Sequence, residues 1–339
     1  MLHRALFLCL FLALPVSGFA QDAFRFVAFG DMPYCTPSRP EACAEEEARV
    51  ARLMRDINTA TPAFSVFVGD TKGGSEICSD ERVLRAFSWM SLARHPLIYT
   101  PGDNEWTDCW QTRAGRFDPL ERLALLRARF FRDHRSLGSE NLILTRQADI
   151  DPDFRLYVEN ARWTREGIVF ATLHVTGSNN NRPTEAGERP TSNPPAGALE
   201  EFQARDAANR AWLRASFAEA QRISARAVVL MQQADMYYAE RCGRGQRSGF
   251  LAMREALEEQ ALAFGKPVLL IHGDSHVFLR EPHGPAIPNL TRLMVPGAQD
   301  VRAVLIEVGN GPEVPWRFEA IGPVDRVATN PCCGANLKG

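Results

Sequence analysis

The 339-residue chain is nearly devoid of lysine: only three of its 39 basic residues are lysines (Lys72, Lys266 and Lys338). That bias is compositional and carries no functional weight. A basic excess is also missing. The 39 basic residues face 41 acidic ones, a net charge of −2, whereas proteins that neutralise nucleic-acid phosphates show a basic excess or stripe. After residue 20 no segment approaches the roughly eighteen uninterrupted apolar residues of a membrane span. No G-x-S-x-G turn is present to seat a serine nucleophile, and no C-x-x-C pair argues for a thiolate metal site. There is no internal repeat and no interdomain linker, so one domain is expected. What is present, 45% hydrophobic and 24% charged residues, is ordinary globular chemistry with enough apolar material for a large core.

Residues 1–20 read as an export signal. His3 and Arg4 precede the apolar run Ala5 to Leu14, and Gly18 and Ala20 supply small residues at −3 and −1. The run is too short for a membrane anchor. The expected product is exported, periplasmic or secreted, with residues 21–323 as one domain and 324–339 as a C-terminal tail. Cleavage after Ala20 removes Cys9 and leaves seven cysteines, which an oxidising compartment should mostly pair.

Several apolar runs end in polar turns. Phe26–Phe29 runs into Gly30-Asp31, Phe64–Val68 into Gly69-Asp70, Leu97–Thr100 into Gly102-Asp103, and Val268–Ile271 into Gly273-Asp274. Each reads as a buried strand opening into a loop. Helical patterns fall at 45–58, 81–93, 120–131, 200–222 and 250–264. The alternation implies an α/β fold with ligand sites at strand C-terminal ends. Further strands are expected at 155–159, 167–175 and 227–232, and the segments 290–296, 301–308 and 314–321 read as a closing antiparallel meander. Residues 177–198 read as a long surface loop.

One Gly-Asp turn has a plain explanation: glycine takes a positive φ and Asp hydrogen-bonds the turn. Four such turns on neighbouring strands gather Asp31, Asp70, Asp103 and Asp274. Carboxylates converging without counter-charge repel one another, and bound divalent cations relieve the repulsion.

The order of the stations GDMPY (30–34), GDTKGG (69–74), PGDNEW (101–106), VVLMQQAD (228–235) and HGDSH (272–276) resembles the calcineurin-like metallophosphoesterase family. The resemblance covers roughly residues 24–321. It implies a four-layer α/β/β/α sandwich with two mixed sheets and a two-metal site. Asp31, Asp70 and His276 match the family's ligands directly, Asp70 as the bridge. Asp103, Gln233 (or Gln232) and Asp274 match by position with changed chemistry. Pro33 and Asn104 stand where the family has histidines. Aspartate in place of Asn or His keeps coordinating ability. An oxygen-rich set favours Mn²⁺ or Mg²⁺, with Ca²⁺, Zn²⁺ and iron as alternatives.

The resemblance implies a hydrolase for phosphoric mono- or diesters, in which the ions hold a hydroxide for in-line attack on a small phosphorylated substrate. Asn104 cannot protonate a leaving group, so His174 and then His272 are the substitute donors. Asn179 and Asn180 are candidates for contacts to phosphoryl oxygens. Cys78 and Cys109 follow the Asp70 and Asp103 loops, and their pairing would pin both at the site rim. Cys35 and Cys43 flank a short loop and are expected to pair locally, and Cys332 or Cys333 to join Cys242. The alternative reading is a catalytically weak or inactive member acting as a metal- or ligand-binding module. The substrate and oligomeric state are not legible.

Overall fold

In strand β1 (Phe24–Phe29) consecutive side chains enter two different cores. Phe26 and Ala28 point into one apolar cluster, Val27 and Phe29 into another. A strand that is apolar on both faces must be covered on both, and this decides the architecture. The computed structural model describes residues 24–35, 40–188, 194–309 and 316–332. The expected export signal, Cys9 and Cys333 lie outside them.

The first sheet joins β1 to β2 (Ser65–Phe67), β3 (Leu97–Tyr99), β11 (Ala303–Val308) and β12 (Trp316–Ile321). Its order is β12-β11-β1-β2-β3, with β1, β2 and β3 parallel. The second sheet contains β4 (Thr145–Arg146), β5 (Ala161–Arg165), β6 (Ile168–Thr172) and β7 (Ala227–Met231). It continues with β8 (Val268–His272), β9 (Leu279–Pro282) and β10 (Leu290–Met294) in the order β4-β5-β6-β7-β8-β10-β9. Here β6, β7, β8 and β10 run parallel.

Helices α1 (Pro40–Ala60), α2 (Asp80–Met90) and α3 (Pro119–Phe130) cover the outer face of the first sheet through Leu53, Trp89 and Leu126. Two single turns follow, α4 (Gln147–Ile150) and α5 (Gly177–Asn180). Then come α6 (Ala198–Arg222), the short α7 (Tyr238–Cys242) and α8 (Leu251–Phe264). Helices α6 and α8 cover the second sheet through Leu213, Phe217 and Leu257. Between the sheets, Phe170 stacks on Trp163 and meets Phe26 and Phe64 edge-on, with ring centroids 5.4, 5.5 and 5.0 Å away. Removing a phenylalanine from such a site costs about 3–5 kcal/mol. The layers are therefore α/β/β/α with two mixed sheets, as the sequence indicated.

Three local expectations are corrected. The segment 155–159 is not a strand: a 3₁₀ turn at Pro152–Phe154 precedes it, and pairing starts only at Ala161. The closing meander forms only in part: β11 and β12 pair antiparallel, but β10 does not join them. Strand β10 pairs parallel with β8 in the second sheet, whereas β11 and β12 close the first. The start of the 177–198 loop is also buried rather than superficial.

Disulfides join Cys35 to Cys43, Cys78 to Cys109 and Cys242 to Cys332, so Cys332 is the partner of Cys242. Among the described residues no helix is long and apolar enough to cross a membrane.

Candidate metal centre

The C-terminal ends of β1, β2 and β3 meet those of β6, β7 and β8, and the loops after them build one site. Asp31, Asp70 and Asp103 follow the first three strands, Gln233 follows β7, and Asp274 and His276 follow β8. All are buried except Asp274, which is partly exposed. At three of the four Gly-Asp turns the left-handed backbone belongs to the aspartate itself: φ is +55° at Asp31, +60° at Asp70 and +67° at Asp274. His276 adopts +63°. Of the four glycines only Gly69, at +88°, supplies the positive φ expected of them. Gly102 and Gly273 supply room instead: a Cβ on Gly102 would stand 2.2 Å from Asp70 Oδ1, and one on Gly273 2.0 Å from Asp31 Oδ2.

One half of the site is formed by Asp31, Asp70 and His276, whose ligand atoms lie within 4.8 Å of one another. Asp31 Oδ1 accepts the Asp274 backbone N–H at 3.0 Å and faces His276 Nε2 at 3.3 Å. Asp31 Oδ2 is buried without a hydrogen-bond partner, as is His276 Nδ1. Buried carboxylate oxygens without donors are costly unless a cation meets them, so this donor set fits a divalent ion.

The other half gathers Asp103, Gln233 and Asp274 around Gly177, where a Cβ would lie 2.8 Å from Asp274 Oδ1 and 2.9 Å from Asp103 Oδ1. Here protein donors already occupy the ligand atoms. Gln233 Nε2 donates to Asp103 Oδ1 at 3.1 Å and Ser178 Oγ to Asp103 Oδ2 at 2.6 Å. The Gly177 N–H donates to Gln233 Oε1 at 2.5 Å, and the Asp235 N–H reaches Asp274 Oδ2 at 3.4 Å.

Tyr34 is the residue that sequence reasoning missed. Its hydroxyl donates to Asp70 Oδ2 at 2.7 Å and lies 3.3 Å from His276 Nε2. Asn104 Nδ2 donates to the Tyr34 hydroxyl at 2.9 Å and to Asp70 Oδ2 at 2.7 Å. Burial, then the charge of Asp70, pushes the phenol well above its ordinary pKa, so it remains a donor. The only signal was an aromatic residue three places after Asp31. Glu105 holds the loops: its Oε1 accepts the N–H groups of Asp70 and Gly102 at 3.1 and 2.9 Å and the Tyr99 hydroxyl at 2.8 Å. Lys72, fully buried, donates to Gly73 O at 3.1 Å, and burial lowers its pKa against the pull of Glu76 and Glu105.

The remaining candidates face elsewhere. His174 is fully buried; its Nδ1 donates to Glu159 Oε1 at 2.7 Å, while Nε2 has no partner and the ring lies 5.2 Å from that of Trp106. Glu159 is in turn held by Arg127 at 2.6 Å. His272 Nδ1 donates to Gly273 O at 3.2 Å. Burial lowers the pKa of both histidines. Asn179 and Asn180 spend their amide donors on Arg182 O, Ser248 Oγ and Gly249 O, so they brace the turn in which they sit.

No protein-family model and no curated protein matches the chain. Solved structures do. A dimetal phosphatase from Danio rerio is 12% identical, with 88% of this chain and 98% of that one covered at a TM-score of 0.53. GAP50, the anchor in the inner membrane complex of Plasmodium, is 12% identical over 88% and 84% of the two chains, at 0.50. The purple acid phosphatase PPD1 of yellow lupin seeds is 12% identical over 91% of this chain and 53% of its own, also at 0.50. With its layers, strand order and strand-end site, the chain has the metallophosphoesterase fold.

Proposed function

We propose that the protein is an exported, metal-dependent phosphoesterase that hydrolyses phosphate mono- or diesters at the strand-end cleft. One observation carries this reading: Asp31, Asp70 and His276 are buried within 4.8 Å of one another, and one Asp31 oxygen lacks any partner. The fold shared with a dimetal phosphatase supports it, and three disulfides support an oxidising destination.

Two divalent ions, Mn²⁺ or Mg²⁺ by the oxygen-rich donor set, would supply Lewis-acid charge for the phosphoryl oxygens and an activated water. Asp31 and His276 would hold one, Asp103, Gln233 and Asp274 the other, with Asp70 shared. Tyr34 and Asn104 both donate to Asp70 Oδ2 and so fix the orientation of that carboxylate. Glu105 ties the Asp70 loop to the Gly102 loop through their backbone N–H groups.

Leaving-group protonation is the weak step. Asn104 has no titratable proton, and His174 and His272 are buried with their protonated nitrogens engaged. Esters with acidic leaving groups should therefore react fastest. Rates for a series of aryl and alkyl phosphoesters test this, and equal rates with chemistry limiting would overturn it.

The principal experiment measures metal content and turnover of activated aryl phosphomonoesters and diesters. The wild type should hold metal and turn over. Asp70→Asn should lose more than about 100-fold in rate, since even changes behind the ligands cost 10–100-fold. A second reading, a metal- or ligand-binding module, is favoured by Pro33 and Asn104 at positions where the family has histidines. Bound metal without turnover, unaffected by Asp70→Asn, would establish it.

A further inference from the structure

We propose that the two halves of the metal centre load unequally and in order. The Asp31–Asp70–His276 half takes a divalent ion first, and the Asp103–Gln233–Asp274 half admits a second only when the Gly177–Asn181 turn releases Asp103. The inference rests on the metal-binding reading above and adds to it an order and a moving part.

The halves differ in what an incoming ion must displace. In the first, the shared Asp70 carries donors from Tyr34 and Asn104 whichever half fills, but Asp31 Oδ2 is buried and has no protein donor to give up. In the second, both Asp103 oxygens carry donors, Gln233 Nε2 on one and Ser178 Oγ on the other. Gln233 is worse placed still. An amide nitrogen has no lone pair for a cation, so Oε1 is its only ligand atom, and Oε1 already accepts the Gly177 N–H. A second ion therefore enters only by breaking hydrogen bonds, those to Asp103 being charge-assisted.

Those bonds belong to an unusual piece of backbone. Ser178, Asn179, Asn180 and Asn181 are all left-handed, with φ of +48°, +55°, +55° and +62°. L-residues visit this region singly and at a cost, and a run of four needs external support. Arg205 supplies some of it, donating to the side chain and the carbonyl of Asn180. The Gly249 N–H on Asn179 Oδ1 supplies more. The remainder comes from Ser178 on Asp103 and the Gly177 N–H on Gln233, the same contacts that a second ion must replace. Occupying the second half and relaxing the turn are one event.

The test uses apo protein titrated with Mn²⁺, followed by calorimetry and electron paramagnetic resonance. The expected result is two separate steps, the second at least about tenfold weaker, or 1.4 kcal/mol. An isolated-ion spectrum should appear at one equivalent and spin coupling only during the second step. Ser178→Ala removes one donor from Asp103, and Gln233→His removes the other while offering an imidazole. Each should narrow the gap, and either suffices if the other variant fails to fold. Asp31→Asn should remove the first step. Two ions of indistinguishable affinity in the wild type, or a gap unchanged in the folded variants, would overturn the ordering and leave the metal site intact. No Mn²⁺ binding at all would overturn both.

Discussion

Asp31, Asp70, Asp274 and His276 do two things at once: they present ligand atoms and they hold left-handed backbone. Asn and Asp are enriched in that region, while alanine pays roughly 1–2 kcal/mol there. An Asp→Ala exchange would thus mix lost coordination with backbone strain, and Asp→Asn is the clean probe. A complementary test leaves every ligand untouched. The Cβ of Gly273→Ala would meet Asp31 Oδ2 at 2.0 Å, so the variant should keep its far-ultraviolet circular dichroism yet lose more than about tenfold in Mn²⁺ affinity, the low end of what disturbing groups behind ligands costs. Unchanged affinity would show that Asp31 can turn away without consequence. The acidic residues were legible in the sequence because carboxylates at strand ends have few other reasons to recur. Tyr34 was not, because its role depends on where the chain goes after Pro33.

At the scale of elements, strand ends could be read because a buried apolar run stops at a Gly-Asp turn. Partners could not: a parallel strand such as β10 and an antiparallel one such as β11 leave the same short apolar run. The Cys78–Cys109 disulfide shows how an element serves the site. Both sulfur atoms lie close to Asn104 O, at 3.6 and 3.7 Å, so the bridge brackets the residue that orients Asp70. Its partners are 31 positions apart in sequence, and closing such a loop contributes about 3.7 kcal/mol in the chain-entropy treatment. The Cys78→Ser, Cys109→Ser double variant should lose up to that amount in denaturant unfolding, and its turnover should fall as Asn104 loosens. Full activity in the folded variant would show that the bridge only stabilises.

For the whole molecule, buried groups set the response to acid, Glu159 and His95 among them. Burial alone would raise the Glu159 pKa, but the charge of Arg127 and the hydrogen bond from His174 outweigh it and hold the carboxyl at about 2. Burial holds His95 at about 4, with its Nε2 2.8 Å from Ser65 Oγ. Both folded values lie below the ordinary ones, so the unfolded chain binds protons first and stability falls with pH. The His95 contribution is complete above about pH 6.5 and is lost toward pH 4; the Glu159 contribution, roughly 3 kcal/mol, is lost between about pH 4.5 and 2. Urea unfolding across this range should show two stages, and His95→Gln should shrink the upper one, to which the buried His174 and His272 also contribute. The fold class was legible at this scale from the alternation of patterns, whereas these burials were not, since His95 and Glu159 carry no mark in the sequence that distinguishes them from surface residues. The Cys242–Cys332 bridge has a mechanical consequence. Strand β12 is an edge of the first sheet, but the chain after it is fastened at Cys332 to Cys242, beyond β7 of the second. Tension applied at the C-terminus therefore bypasses β11 and β12 and is delivered to the opposite sheet. About 300 Å of contour, the 90 positions between the two cysteines, stays unavailable to extension until the bridge is reduced.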